Sequence, residues 1–321
     1  MRGVAILSLV LILMLVSLSA YLRLDHSGIG CEPWPACYGQ IGTKPAAARV
    51  ADAYERLVAE ATQPMSWARP AHRLIASILG LLVLALAITS VLRREQRLAA
   101  LLLLVLTVFL AWIGIYSEGL HSPAIVMGNL GGGFAMLAVC GWMVFDSGVR
   151  ESRTLRKSPL AASCLLAVVL LSLQILVGGL TSANFAASAC TTVPQCNGSL
   201  LPGGELWSAF DLSRDVAVSA EGFAIGGAER PAIHQLHRLL SVFAVAAIAA
   251  AAWLAQRARK RVRIAGIVMI LLALAQVSVG VIAVRSGIPI VVAVSHNWIA
   301  AVMLLGLIYM YSASRRDAML R

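Results

Sequence analysis

The sequence predicts an all-α polytopic membrane protein: eight transmembrane helices forming two parallel-repeat four-helix bundles, with both termini in the cytoplasm. Three observations predict it. The chain is 60% hydrophobic and only 13% charged over 321 residues, more apolar side chain than a soluble domain uses. The apolar residues gather into eight runs, each near the ~20 residues that cross a bilayer as a helix. Paired motifs recur in the same order in the two halves, the mark of an internal duplication.

The runs fall at roughly 3–22, 70–92, 98–116, 123–145, 159–181, 231–255, 263–284 and 288–312. The first has a short basic start and small residues at Ser17-Leu18-Ser19-Ala20, as a signal peptide would. Its apolar stretch is long for that role, and the matching run of the second half is internal, so it reads as a retained span. The net charge of +11 sets topology and does not imply nucleic acid. Arg2 and the connections after runs two, four, six and eight hold 16 of the 26 basic residues against four acids, a net of +12. The other side carries 10 basic and 11 acidic residues, a net of −1. Positive-inside logic puts the basic side in the cytoplasm. Two long loops, roughly 23–69 and 182–230, then face the exterior, where the chemistry is expected. Val50, Tyr54, Leu57, Val58 and Ala61 space an interfacial amphipathic helix in the first loop, and Leu206, Trp207 and Phe210 suggest another in the second.

The repeat divides the chain at about residue 150, into 1–150 and 151–321. Each half has a first span followed by a C-x-x-x-P-x-C loop, Cys31–Cys37 and Cys190–Cys196, then a His-Arg-headed helix at His72-Arg73 or His237-Arg238. Asn129 and His296 each precede an aligned methionine, Met136 or Met303, by seven residues. An even number of spans per copy makes the copies parallel, hence two fused four-helix bundles. The exterior cysteines lie where thiols oxidise, so disulfides Cys31–Cys37 and Cys190–Cys196 are expected. They read as loop staples, with a redox-active role as the alternative. Cys140 and Cys164 lie inside apolar runs and read as small core residues.

Ionisable side chains within a span usually face the protein interior and mark a working site. His234 and His237, three apart, share a helix face. His237 lies about 9 Å inside run six and His296 about 12 Å inside run eight at 1.5 Å per residue, so their rings can meet at one depth. Two imidazoles facing across a bundle are the usual axial pair of a haem. Histidines bonded to backbone, or a zinc site short of ligands, are the alternatives. Arg73 and Arg238 can bind haem propionates as bidentate carboxylate partners or snorkel to headgroups.

With these residues in view, the chain resembles the haem A synthase family, membrane enzymes that oxidise the C8 methyl of haem O to the formyl of haem A. The resemblance spans nearly the whole chain. It rests on the duplicated unit, the Gly28–Gly39 loop GIGCEPWPACYG, Gly178–Asn184 (GGLTSAN), His234-Gln-Leu-His237-Arg238 and Ser295-His296-Asn297. It implies a permanent haem b held by His237 and His296 with His234 and Arg238 beside it. It places the substrate haem against His72 and Arg73, with His72 as its iron ligand. Two positions depart from the family pattern. Arg69 stands where members often carry glutamate, and Asn129 where many carry a fourth histidine. Asparagine is a poor iron ligand, which leaves an open position opposite His72 and gives Asn129 a place in the catalytic site. Glu118 and His121 are the nearest spare polar groups, and His26 reads as a surface residue. The resemblance further implies a bacterial-type plasma membrane with the sites toward the exterior. It implies haem O as substrate, haem O synthase and a membrane or protein electron acceptor as partners, and room for a homo-oligomer. No nicotinamide or flavin fingerprint is present.

Three other readings stand beside it. A thiol–disulfide oxidoreductase would use the exterior cysteines, but such enzymes typically carry C-x-x-C. A two-haem electron-transfer cytochrome needs two axial pairs, where the chain offers one pair and His72. A transporter would show a helix broken at mid-membrane, and none is seen.

Overall fold

The computed structural model describes residues 1–26, 68–116, 123–146, 158–201, 203, 205–214 and 227–319. The Cys31–Cys37 loop, the spacing at 50–61, Glu118 and His121 lie outside the described residues. Among the described residues eight α-helices follow one another: α1 Arg2–His26, α2 Ala68–Arg93, α3 Arg97–Tyr116, α4 Pro123–Phe145, α5 Pro159–Ala183, α6 Glu229–Ala255, α7 Lys260–Arg285 and α8 Ile290–Met319. Each contains a stretch long and apolar enough to cross a membrane, and the chain is a multi-pass membrane protein. The helices run a few residues past the apolar runs, because backbone entering the bilayer must already be hydrogen-bonded internally.

The first four helices pack as a ring, α1 on α2, α2 on α3, α3 on α4 and α4 on α1; the last four do the same from α5 to α8. The rings meet where α4 packs on α8, α1 on α8 and α4 on α5. Leu137, Met303, Leu307 and Met310 are fully buried within this packing. Leu81, Leu92, Leu271 and Leu274 point outward and are largely exposed, which is the stable arrangement against acyl chains. Small residues set the closest approaches: a Cβ on Gly266 of α7 would sit 3.2 Å from the Ala252 carbonyl oxygen of α6.

One end of the assembly is fixed by side chains bonded to neighbouring backbones. Gln96, in the α2–α3 turn, donates to the Met143 and Asp146 carbonyls, both at 3.2 Å. Ser312 of α8 donates to the Phe145 carbonyl at 2.9 Å. The turns between α2 and α3 and the ends of α4 and α8 therefore lie together. The site lies at the opposite end, where α5 finishes and α6 begins.

There the segment around Leu206, Trp207 and Phe210 forms not an amphipathic α-helix but a short 3-10 helix, Leu206–Phe210. The reason lies in its tethers. Asn184 donates to the Ala209 carbonyl at 3.0 Å, and the Ala124 amide of α4 donates to the Leu212 carbonyl at 3.2 Å. The two tethers hold this segment across the ends of α5 and α4.

Candidate functional site

Helix α6 starts with Glu229, favoured by the partial positive charge of a helix N-terminus, and tolerates Pro231 in its first turn, where a missing N–H costs nothing. Glu229 is buried and pairs with Arg214 at 2.9 Å. Arg214 also donates to the side-chain oxygen of Asn184, the residue that ends α5. Nearby, Asp211 accepts from the Ser213 hydroxyl (2.7 Å) and amide (3.0 Å). These bonds hold its carboxyl below the usual carboxylate range. This network fastens the outer loop across the tops of α5 and α6.

Successive side chains of α6 grip the loop by its backbone. Arg230 donates to the Phe185 carbonyl. The buried His234 ring places Nδ1 3.0 Å from the Ala186 carbonyl, and Gln235 donates to the Leu200 carbonyl at 2.6 Å. Arg238 spreads its guanidinium over the carbonyls of Thr192 (2.7 Å), Gln195 (3.1 Å) and Cys190 (3.3 Å). The loop it holds is closed by the Cys190–Cys196 disulfide, with Cα atoms 4.7 Å apart. One of the two expected disulfides is thus present, and the other lies outside the described residues. Cys140 and Cys164 are buried free thiols, as the apolar runs predict.

Among these α6 residues, His237 turns to the helices rather than to the loop. Its ring centre lies 6.4 Å from that of His296 on α8, with the planes 63° apart. α6 and α8 are diagonal members of the second ring, so the two imidazoles meet inside it. Each is received by a glycine of an intervening helix. A Cβ on Gly178 of α5 would lie 2.9 Å from His237 Cε1, and one on Gly280 of α7 would lie 3.3 Å from His296 Cε1. One turn deeper than each glycine stands a glutamine. Gln174 donates to the His237 carbonyl at 2.9 Å, with the same nitrogen 3.1 Å from His237 Nδ1. The backbone of Gln276 borders the His296 ring.

Sequence reasoning missed these two glutamines and their partnership with the glycines. The signal was present: an amide side chain within an apolar run, four residues before glycine, occurs at Gln174–Gly178 and again at Gln276–Gly280. An uncharged polar group at that depth needs a partner.

What can such a pair hold? Among the described residues no three His, Cys, Asp or Glu side chains cluster as a metal set. A two-ligand site suits a metal whose other ligands come from a macrocycle. Metal–nitrogen bonds of about 2 Å on both sides, plus the half-width of each ring, require imidazole centres roughly 6 Å apart, and the two centres stand 6.4 Å apart. His296 Nδ1 is buried with no hydrogen-bond partner among the described residues. The residues fit a bis-histidine haem.

In the first ring, His72 lies near the start of α2 and is partly buried, with Arg73 exposed beside it. Asn129 is partly buried on α4. These helices are diagonal in the first ring, as α6 and α8 are in the second. No direct contact joins His72 to Asn129 among the described residues' hydrogen bonds and ring contacts. Arg69 lies on the first turn of α2.

The chain matches the COX15-CtaA family, described as cytochrome oxidase assembly protein, over residues 2–308. It is 29% identical over 311 residues to a protein of Shewanella oneidensis named Heme A synthase, covering 94% of this chain and 93% of the relative. It is 28% identical over 322 residues to a Neorickettsia sennetsu protein of the same name, covering 92% of this chain and 93% of the relative.

Proposed function

The chain belongs to the COX15-CtaA family of cytochrome oxidase assembly proteins, and from that premise we propose that it is a haem A synthase. In this reading it is an oxidoreductase of a bacterial plasma membrane that converts the C8 methyl of haem O to the formyl of haem A. The observation that carries the reading is the separation of the His237 and His296 rings inside the second helix ring. His237 and His296 would hold a resident haem b, whose chemistry is one-electron transfer. Arg238 and His234, bonded to the outer loop, keep that loop closed over the site.

His72 binds the substrate haem, and Asn129, which cannot serve as a strong ligand, leaves the opposite face open. The duplication supports this division of labour, since His72 and Asn129 stand on diagonal helices of the first ring as His237 and His296 do in the second. The helices of the first ring would position the methyl. Methyl and water give the alcohol, and the alcohol and a second water give a gem-diol, each step releasing two electrons and two protons. The electrons leave to a membrane or protein acceptor, and loss of water from a gem-diol yields the formyl group.

The test is chromatography of the haems extracted from the purified protein, with its reduced-minus-oxidised spectrum. Haem B accompanied by haem O or haem A is the expected result, and His237→Ala or His296→Ala should each remove haem B. Haem B alone in the wild type would favour an electron-transfer cytochrome. Haem B retained in both alanine variants would sink the axial pair.

A further inference from the structure

We propose that Arg23, near the end of α1, binds a carboxylate of the substrate porphyrin in the first ring of helices. The inference rests on reading that ring as the haem O site, and it adds a residue that holds the substrate by a propionate. Three observations carry it. Arg23 Nε is buried with no hydrogen-bond partner among the described residues. Arg23 continues the inward stripe of α1, falling one turn after Ala20 in the buried series Ala5, Ser8, Ile12, Val16 and Ala20. That stripe faces α4, since a Cβ on Gly133 would lie 3.5 Å from Val16 Cγ2, and Asn129 stands on the same α4 face one turn from Gly133.

Two contacts fix the register. Val16 meets Gly133, and the Cys140 thiol donates to the Ala5 carbonyl at 3.4 Å. α1 and α4 therefore run antiparallel, and the end of α1 lies with the start of α4. At 1.5 Å per residue, Asn129 stands about 6 Å and Arg23 about 10 Å beyond the Val16–Gly133 crossing. Arg23 thus sits roughly 4 Å farther out than Asn129 on the same rule, on the helix that packs against both α2 and α4. A charged side chain inside a span marks a working site, and burying it without a counter-ion is costly. At this end of the assembly Arg214 has Glu229 as its counter-ion, and Arg238 has three carbonyls. Arg23 Nε shows no such partner among the described residues. A guanidinium presents parallel N–H groups that fit the two oxygens of a carboxylate. The ionised propionates of a haem avoid the apolar depth of the span and pair with a cation near its rim. α5, the first helix of the second ring, holds no basic residue, so the arginine sets the substrate half apart from the half with the resident haem.

The experiment measures the binding of haem O and of its dimethyl ester to the full-length protein in detergent, purified from cells that make haem B but not haem O. Esterification removes the negative charge of the propionates and leaves the macrocycle unchanged, and haem B content reports on the second ring. The wild type should bind the free acid more tightly than the ester by at least about tenfold, the strength of one charged hydrogen bond. Arg23→Met should weaken binding of the acid by about tenfold to a hundredfold on the same scale, narrow the acid-to-ester ratio by that factor and leave haem B in place. Arg23→Lys, which keeps the charge without the fork of donors, should restore part of the ratio. Equal binding of acid and ester by the wild type, or a ratio unmoved in Arg23→Met, would overturn the proposal. If Arg23→Met loses its haem B, Arg23→Gln decides in the same titration: a narrowed ratio supports the role, and an unchanged one overturns it. A wild type that binds neither form would instead defeat the haem O reading, and the arginine's role with it.

Discussion

In the C-terminal ring, notches left by glycines on α5 and α7 are filled by the imidazoles of His237 and His296. In the N-terminal ring the comparable notches lie on α4 and are filled by aliphatic side chains. A Cβ on Gly128 would lie 2.6 Å from Ile113 Cδ1, and one on Gly132 would lie 2.7 Å from Leu110 Cδ2. Glycines serve helix packing in both rings, as Gly266 does against α6, and in the C-terminal ring two of them also receive imidazoles. On the proposed function, the difference fits a C-terminal half that holds a group permanently. Imidazoles seated against backbone and bordered by amides have little freedom to move. His72, partly buried near the start of α2, is on the proposed reading the ligand of a site that takes in and releases a large planar molecule.

The largest effect should come from refilling a notch in the C-terminal ring. Gly178→Leu places a branched side chain where even a Cβ would lie 2.9 Å from His237 Cε1, and it should abolish haem b binding. Gly132→Ala meets only the flexible end of Leu110 and should leave haem content near that of the wild type. The comparison is read as haem B extracted per mole of protein. Equal haem in the two variants would mean that the glycine notches do not distinguish the halves.

Much of the fold was legible in the sequence, because span length and apolar composition are local properties of the chain. All eight runs became helices, and the His237–His296 meeting followed from helix depth alone. The grip of α6 on its loop was not legible. Arg238, Gln235 and His234 bind backbone carbonyls of Thr192, Leu200 and Ala186, and a carbonyl has no sequence identity to read. The Asn184–Arg214–Glu229 network joins residues whose separation along the chain carries no periodicity. The 3-10 turn at Leu206–Phe210 was misread for the same reason, since its length is set by tethers to α4 and α5 rather than by its own pattern.

A second test sharpens the contrast at Asn129. Asn129→His gives α4 an imidazole on the helix diagonal to His72, as His296 stands to His237. The first ring should then bind its haem as a bis-histidine complex, with a second low-spin signal in the electron paramagnetic resonance spectrum. Haem A formation should fall by about tenfold to a hundredfold, the range typical of altered metal-ligand surroundings. Unchanged haem A formation with no new signal would remove Asn129 from the site.

The smallest effect separates a staple from a redox pair. The Cys190–Cys196 disulfide closes a short loop whose carbonyls are held by Arg238. Loop-closure entropy for a link of this size gives about 2 kcal/mol, and the Arg238 bonds run to backbone carbonyls rather than to the sulfurs. Cys190→Ser should therefore lower the temperature at which haem b is lost while leaving haem A formation at ordinary temperature within about a factor of two, since a modest stability change leaves most molecules folded. A redox role predicts the reverse pattern: haem A formation collapsing with thermal retention of haem b unchanged. That outcome would shift electron transfer onto the sulfurs, whereas the first keeps the loop as a lid whose hold lies in the arginine on α6.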